Sequence, residues 1–413
     1  MDGSKMMEPI RDASQISMSK RLLLGLQHTF TMFGATVLVP IITGMDISVA
    51  LFMAGVCTLL FHLITKKKVP VFLGSSFAFI APTLAVVEMV SQNGGTDGLA
   101  YARGGIVVAG IIYLVVAVLI YIFGVEKIVK FFPPIVTGPI ILVIGLKLAP
   151  VAIDMASGNW FLAIVAFVTV MIVSVFMKGF LQVVPVIIGL IVGYIVALIT
   201  GNVDFSPVLS AGWIGLPPFE MAKFDFQMIM VIAPVAIATI VEHIGDVIAI
   251  GATVENDFLE DPGLYRTMLG DGLMTSFSAM LGGPANTTYS ENTGVLALTK
   301  VWDPLIMRIA AVFAIVLGVV PKLSSIVGTI PTPVVGGISI ILFGMIASIG
   351  ARTLVEEQVD FKKSRNLIVA AVILVLGLGG AVLPINLGFV NFTMEGMALA
   401  AIVGIILNKV LPE

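Results

Sequence analysis

The sequence predicts an all-α polytopic membrane protein of about fourteen transmembrane segments, built as two seven-segment repeats of opposite orientation. Three observations carry this expectation. Of 413 residues 58% are hydrophobic and only 11% charged, with a mean hydropathy of +1.11, whereas a soluble globular protein carries about 25% charged residues. Apolar runs of roughly 17 to 25 residues recur along the whole chain. Two segments break that pattern, and they occupy matching places in the two halves.

Taken in order, the apolar runs begin near Leu22, Ile47, Tyr101, Pro133, Trp160, Leu181, Gln227, Met268, Leu305, Ile330, Asn366 and Met394. Residues 69–90 and 285–301 are too short or too polar for continuous helices; Gly74-Ser75-Ser76-Phe77 interrupts the first and Asn286 to Ser290 the second. The halves resemble each other in three places. Pro134 to Gly145 matches Pro333 to Gly344 without gaps, with five identities in twelve positions. Ser75-Ser76-Phe77 falls on Thr287-Thr288-Tyr289, and Gly34 of the first run falls on Gly245 of the eighth. Seven segments per repeat is an odd number, so the second copy inserts upside down. The interrupted segments, third and tenth, then meet near the bilayer midplane, where they are expected to pair as short antiparallel β-strands, each feeding a half-helix with free N-terminal amides.

With a cytoplasmic N-terminus, eighteen of the 22 Lys and Arg fall on the cytoplasmic side, leaving Arg103, Lys147, Lys223 and Lys322 outside. Both termini are therefore expected in the cytoplasm, with the bilayer as one partner. The polar first twenty or so residues lack the features of a cleaved signal peptide. A formal net charge of -3, with no basic tract beyond Lys66-Lys67-Lys68, speaks against nucleic acid. Cys57 is the single cysteine, which excludes an internal disulfide and any cysteine-based metal cluster. It is expected as apolar filler.

The stretch 284–300 is too polar for its depth. Eight positions from Asn286 to Thr293 hold hydroxyls, carboxamides, a phenol and a carboxylate, and such sequence in a membrane lines a cavity or is buried in protein. Few acids fall inside spans: Glu242, Asp246, Asp271 and Glu291. Glu242 and Asp246, four residues apart, share one helix face. Two stacked carboxylates do not both stay ionised there without a partner, so a proton that loads and unloads is the expected coupling ion. An intramembrane acid can also simply bond a neighbouring helix, and for Asp271, between Gly270 and Gly272, helix packing is the expected role. His28 is placed near the site or in the scaffold with equal weight, His62 at the interface beside the lysines, and His243 on a different face from Glu242. No catalytic elbow, metal motif or nucleotide-binding loop occurs, so neither an enzyme nor a cofactor is expected.

Glu291-Asn292-Thr293-Gly294, followed by Thr299-Lys300, matches the signature of the nucleobase-ascorbate transporter family. Gln27-His28, Phe33 to Pro40, Gly74 to Ile80, Phe132-Pro133-Pro134, Glu242 to Asp246 and Asn286 to Tyr289 resemble its bacterial uracil:proton symporters. The resemblance implies a cytoplasmic N-terminus (1–21), a core domain in two parts (22–124 and 227–322), a gate domain in two parts (125–226 and 323–413), elevator-type movement of core past gate, and a homodimer. It also implies that Glu242 and Glu291 accept hydrogen bonds from the ring N–H groups of the base. The amides of Phe77 and Ser290 would meet its carbonyl oxygens, and Phe77 or Tyr289 would form an aromatic wall. Glu242, Asp246, Glu291 and His28 would handle the proton, with Ser75, Ser76, Asn292 and Thr288 in support. Asp246 and Ser290 depart from the uracil pattern, Asp246 towards purine carriers, while Glu291 agrees with it. The expectation is a uracil:proton symporter of a bacterial inner membrane, with a purine such as xanthine as the alternative. Anion carriers of the same architecture are a distant alternative, because the candidate site is acidic and the sequence ends just after its last span.

Overall fold

A computed structural model describes residues 8–386 and 391–412, with backbone alone at Val129, Ser290, 385–386, 391–393 and 395. The chain is mostly helical. Its first half runs α1 (Met18–Thr43), α2 (Ile47–Ile64), β1 (Leu73–Ser75), α3 (Ile80–Gln92), α4 (Gly98–Phe123), α5 (Pro134–Lys147), α6 (Trp160–Phe176) and α7 (Pro185–Ile199). The second continues with α8 (Ala236–Val254), α9 (Leu264–Met280), β2 (Asn286–Thr288), α10 (Ser290–Thr299), α11 (Leu305–Gly318), α12 (Thr332–Glu356), α13 (Ser364–Leu378), β3 (Val382–Asn386), β4 (Asn391–Glu395) and α14 (Gly396–Val410). Short helical pieces such as Phe226–Ile232 and Pro321–Gly328 connect them.

Local chemistry sets several helix ends. Ser17 caps α1 by accepting from the Lys20 amide, and Asp46 caps α2 by accepting from Val49 N at 2.9 Å. Gly44 closes α1 at φ 81°, returning its N–H to Pro40 O. Among the described residues six helices are long and apolar enough to cross a membrane, or seven if the pair 304–318 and 321–328, bent by 82°, counts as one. The remaining apolar segments are shorter than the sequence suggests. At 1.5 Å per residue, the 15 residues of α13 or α14 reach about 22 Å of a core about 30 Å thick. The interrupted segments α3 and α10 are shorter still, because each gives its first part to a strand.

Two sets of helices pack mainly within themselves. In one, α4 lies on α9, and α2 and α1 lie on α11; in the other, α5 and α6 lie on α12, α6 on α7, and α13 on both α5 and α14. Exposed apolar side chains such as Val115, Ile164, Val175 and Val375 suit contact with lipid. The packing of α4 on α9 depends on glycine: a Cβ on Gly272 would sit 2.8 Å from Gly110 O.

The two strands β1 and β2 pair antiparallel in the middle of the first set, with Leu73 opposite Thr288, Gly74 opposite Thr287 and Ser75 opposite Asn286. The second hairpin, β3 with β4, was not expected from the sequence. Gly74 has a steric reason: any Cβ there would run into the Tyr289 ring. Gly74→Ala should therefore destabilise the protein by about 1–3 kcal/mol through overpacking; an unchanged melting temperature in detergent would show that the ring can move aside.

Candidate functional site

Backbone without regular hydrogen bonds is not viable in hydrocarbon, and the β1–β2 pair solves that problem. Beyond its register, Ser76 N donates to Ala285 O at 2.9 Å and Tyr289 N to Phe72 O at 3.0 Å. Where pairing stops, helices begin: Phe77 opens a helical turn leading into α3, and the Ser290 backbone opens α10. Neither start has a side-chain cap, so first-turn amides are left for something else to meet.

Tyr289 is 3% exposed and fully engaged: its hydroxyl donates to Ser75 O at 3.0 Å and accepts from Thr36 Oγ1 at 3.3 Å. Ser75 Oγ in turn donates to Thr36 O at 3.1 Å. Tyr289 thus braces β1 against α1. Phe77 is the more accessible of the two candidate aromatics, half-buried with its ring edge-on to Phe343 at 6.2 Å. Ser76 Oγ and Thr287 Oγ1 are buried without a hydrogen-bond partner among the described residues. The side chain of Ser290 lies outside what is described.

The carboxylates are brought to one region by α8 and α10, which pack on each other. Glu242 and Asp246 are half-buried on α8, and Asp246 Oδ2 accepts from Thr288 Oγ1 of β2 at 2.7 Å. Glu291, in the first turn of α10, is exposed, and so are Gly294 and Leu298 along the same face. A Cβ on Gly245, beside Asp246, would meet nothing within 4 Å. The acids therefore adjoin open space.

Asn292 points the other way and is 1% exposed. Its Nδ2 lies 3.0 Å from His28 Nδ1 and 3.2 Å from His28 O. A carboxamide nitrogen only donates, so in this arrangement His28 Nδ1 accepts and the imidazole is neutral with its proton on Nε2. That tautomer rests on the Asn292 amide orientation. It makes His28 a buried partner that orients α10; a proton on Nδ1 would set donor against donor.

Sequence reasoning missed several contacts. His243 Nδ1 lies 3.1 Å from Asp271 Oδ2 with both side chains 0% exposed, within ion-pair distance though off the line of a hydrogen bond, and the Tyr113 ring stands edge-on to His243 at 6.3 Å. His62, in the last turn of α2, is covered by protein. The chain turns through Lys66 and Lys67, both at positive φ, and comes back over it, so that His62 is fully buried with Nε2 2.8 Å from Val71 O. Arg103 belongs to the first turns of α4, is 4% exposed and reaches Glu220 at 2.9 Å. Cys57 is buried, its Sγ 3.6 Å from Met274 O. Among the described residues no group of three or more His, Cys, Asp or Glu could hold a metal ion. A cavity of about 570 Å³, lined by Asp46, Arg103, Glu220 and Ser324 among others, lies away from the carboxylates.

A profile described as a permease family matches residues 19–386. The chain is 46% identical over 406 residues to the uracil permease of Bacillus caldolyticus, covering 95% of this chain and 92% of that one. It is 39% identical over 398 residues to the uracil permease of Escherichia coli K12, covering 94% and 90%. Among solved structures, the transmembrane domain of a cyanobacterial bicarbonate transporter, BicA, superposes with a TM-score of 0.67 at 17% identity, covering 95% of this chain and 98% of that one, a likeness of fold alone.

Removing one member of the buried His243 and Asp271 pair strands the other. His243→Ala should cost about 1–3 kcal/mol, while replacing both by leucine should recover much of the loss. Equal melting temperatures for the single and double variants would show that the two side chains do not interact.

Proposed function

This chain belongs to the nucleobase-ascorbate transporter family of permeases, and from that premise we propose that it imports uracil across a bacterial inner membrane together with a proton. It is a transporter and not an enzyme. One arrangement carries the reading: Glu242 and Glu291 stand on adjoining helices beside two uncapped strand-to-helix junctions. Acceptors and donors thus alternate around open space. A neutral pyrimidinedione presents alternating N–H and C=O groups, and carboxylates interleaved with free amides complement it. In this reading Glu242 and Glu291 take the ring N–H groups, the amides at Phe77 and Ser290 meet the carbonyl oxygens, and Phe77 covers one ring face. Tyr289, Ser75 and Asn292 hold these parts in place. Uracil permeases at 39% to 46% identity over most of the chain support the substrate.

Asp246 is the proposed proton carrier next to the base. While ionised it only accepts, as it does from Thr288; protonated, it can donate, and the hydroxyl can turn round. A proton on Asp246 would so be felt at β2 and at the start of α10.

The packing pairs support the fourteen-segment inverted repeat. The contact of α4 on α9 has its counterpart in α2 on α11, that of α6 on α12 in α5 on α13, and that of α6 on α7 in α13 on α14. A two-fold relation between seven-segment halves requires these equivalences, with β1 and β2 at the axis. The first helix set then forms the core domain and the second the gate. On this reading the core moves past the gate as a body, both termini are cytoplasmic, and two copies of the chain pair. A purine remains the second reading because Asp246 resembles the purine branch.

Proteoliposomes should accumulate labelled uracil when the outside is acidified, and uptake that follows sodium instead would overturn proton coupling. Glu291→Gln should weaken uracil binding about tenfold or more by spoiling a charged acceptor; unchanged affinity would remove Glu291 from contact with the base. A thermal-shift panel of nucleobases decides between uracil and a purine, since a ligand that binds only the folded state raises its stability.

A further inference from the structure

We propose that the N-terminal segment 8–16 is a positioning element of the transport site, a clamp across the far ends of α8 and α10 that sets the spacing of Glu242 and Glu291. The proposal rests on the site assignment above. It starts from the weakness of α10, which has ten residues, below the roughly 12–15 at which an isolated helix becomes even marginally stable. Its geometry depends on what grips it.

Near its start the grip is Asn292 on His28 of α1. At its other end the grip is the N-terminal segment. Ile10 forms a parallel bridge with Val301, its N–H donating to Lys300 O at 2.8 Å and its carbonyl accepting from Trp302 N at 2.9 Å. Trp302 turns back and donates from Nε1 to Leu296 O at 3.1 Å, a second bond on a carbonyl near the end of α10 that also accepts from Lys300 N at 3.0 Å. Ala13 N donates to Asp303 Oδ2 at 2.7 Å, and Ala13, Ile16, Val301 and Ile306 close into a small buried apolar cluster.

Arg11 extends the grip to α8. Its guanidinium lies over the Trp302 ring, 4.9 Å from the centroid, and Nη2 reaches Glu255 Oε2 at 3.3 Å. Glu255 is the residue that ends α8, in a left-handed conformation with its N–H on Gly251 O. One side chain therefore touches the terminus of the helix carrying Glu242 and the segment that closes the helix carrying Glu291. An exposed ion pair contributes little by itself; here it joins two elements whose relative placement is the site. Nothing in the clamp contacts the base, so Arg11 and Ile10 act through α8 and α10.

Two variants of the full-length protein test this. Arg11→Glu opposes Glu255 with a like charge and takes the guanidinium off the Trp302 ring, and Ile10→Pro deletes the N–H donated to Lys300 O. In the substrate-free protein, amide exchange over 290–302 should rise about tenfold in either variant, with α4 unchanged. Unchanged exchange over 290–302 in both variants overturns the clamp, whatever the substrate. With uracil, both variants should bind about fivefold more weakly at an unchanged melting temperature, because the binding-competent spacing is less populated. The reciprocal change, Arg11→Glu with Glu255→Arg, should restore affinity. A fall in melting temperature with unaltered affinity would reduce the segment to ordinary packing and overturn the positioning role. If the unaltered protein binds no uracil, the substrate reading fails on its own, and the exchange measurement still decides the clamp.

Discussion

A backbone amide cannot be left open in hydrocarbon, and the centre of this molecule is organised by that constraint. Helices satisfy it internally; the interrupted third and tenth segments do not, and they satisfy it through each other, as β1 and β2. Much else follows from that pairing. Gly74 is needed so that the Tyr289 ring can lie against β1, the ring hydroxyl secures β1 through Ser75 O, and Thr36 ties the hydroxyl to α1. Because each strand must end within the protein, each hands over to a half-helix, and the first amides of those half-helices are the donors a neutral base would need. In the proposed site the binding chemistry would thus be a by-product of interrupting two spans whose strands pair with each other.

The polar and apolar demands separate cleanly by helix face. On α8, Glu242 and Asp246 look to open space and to Thr288, while His243, one residue on, is buried against Asp271 and Tyr113. On α10, Glu291 is exposed and Asn292 is buried on His28. A rotation of about 100° per residue puts neighbours on different faces, so a two-residue motif can serve function with one side chain and anchoring with the next. In the proposed site Glu242-His243 and Glu291-Asn292 would both do so.

What could be read from the sequence was whatever stood out against an apolar background. The stretch 284–300 was too polar for its depth, and its echo at Ser75-Ser76-Phe77 gave it a partner. The exact register was not readable: the repeat alignment makes Ser75 the equivalent of Thr287 but does not say which residues face each other, and the strands place Ser75 opposite Asn286 and Gly74 opposite Thr287, pairs that the same equivalence interchanges. That His62 is covered by protein was not readable from the lysine run beside it, and only the turn at Lys66 and Lys67 shows the chain folding back over it. The His243 and Asp271 pair spans 28 positions and two helices, and neither residue carries a local sign of the other. The grip of residues 8–16 on the end of α10 was invisible for the same reason, since backbone bridges such as Ile10 to Val301 have no side-chain signature.

These contacts bear on how the proposed transport cycle would move. If α8 turned or slid alone to expose its acids to the other side, it would part the buried His243 and Asp271 and break the Thr288 bond at about 1 kcal/mol. It would also pull against Arg11. The first helix set moving as a body against the second keeps each of these and exchanges mainly apolar contacts, such as that of Gly34 with Val186, for others of the same kind. Lipid and protein are comparably apolar, so that exchange is cheap beside the loss of a buried polar partner. In the proposed cycle a set moving as a body would keep the bonds of His28 with Asn292 and Asp246 with Thr288, and the polar bonds it would have to part include those of Arg103 with Glu220 and Ser48 with Ser324, which join it to the segments outside.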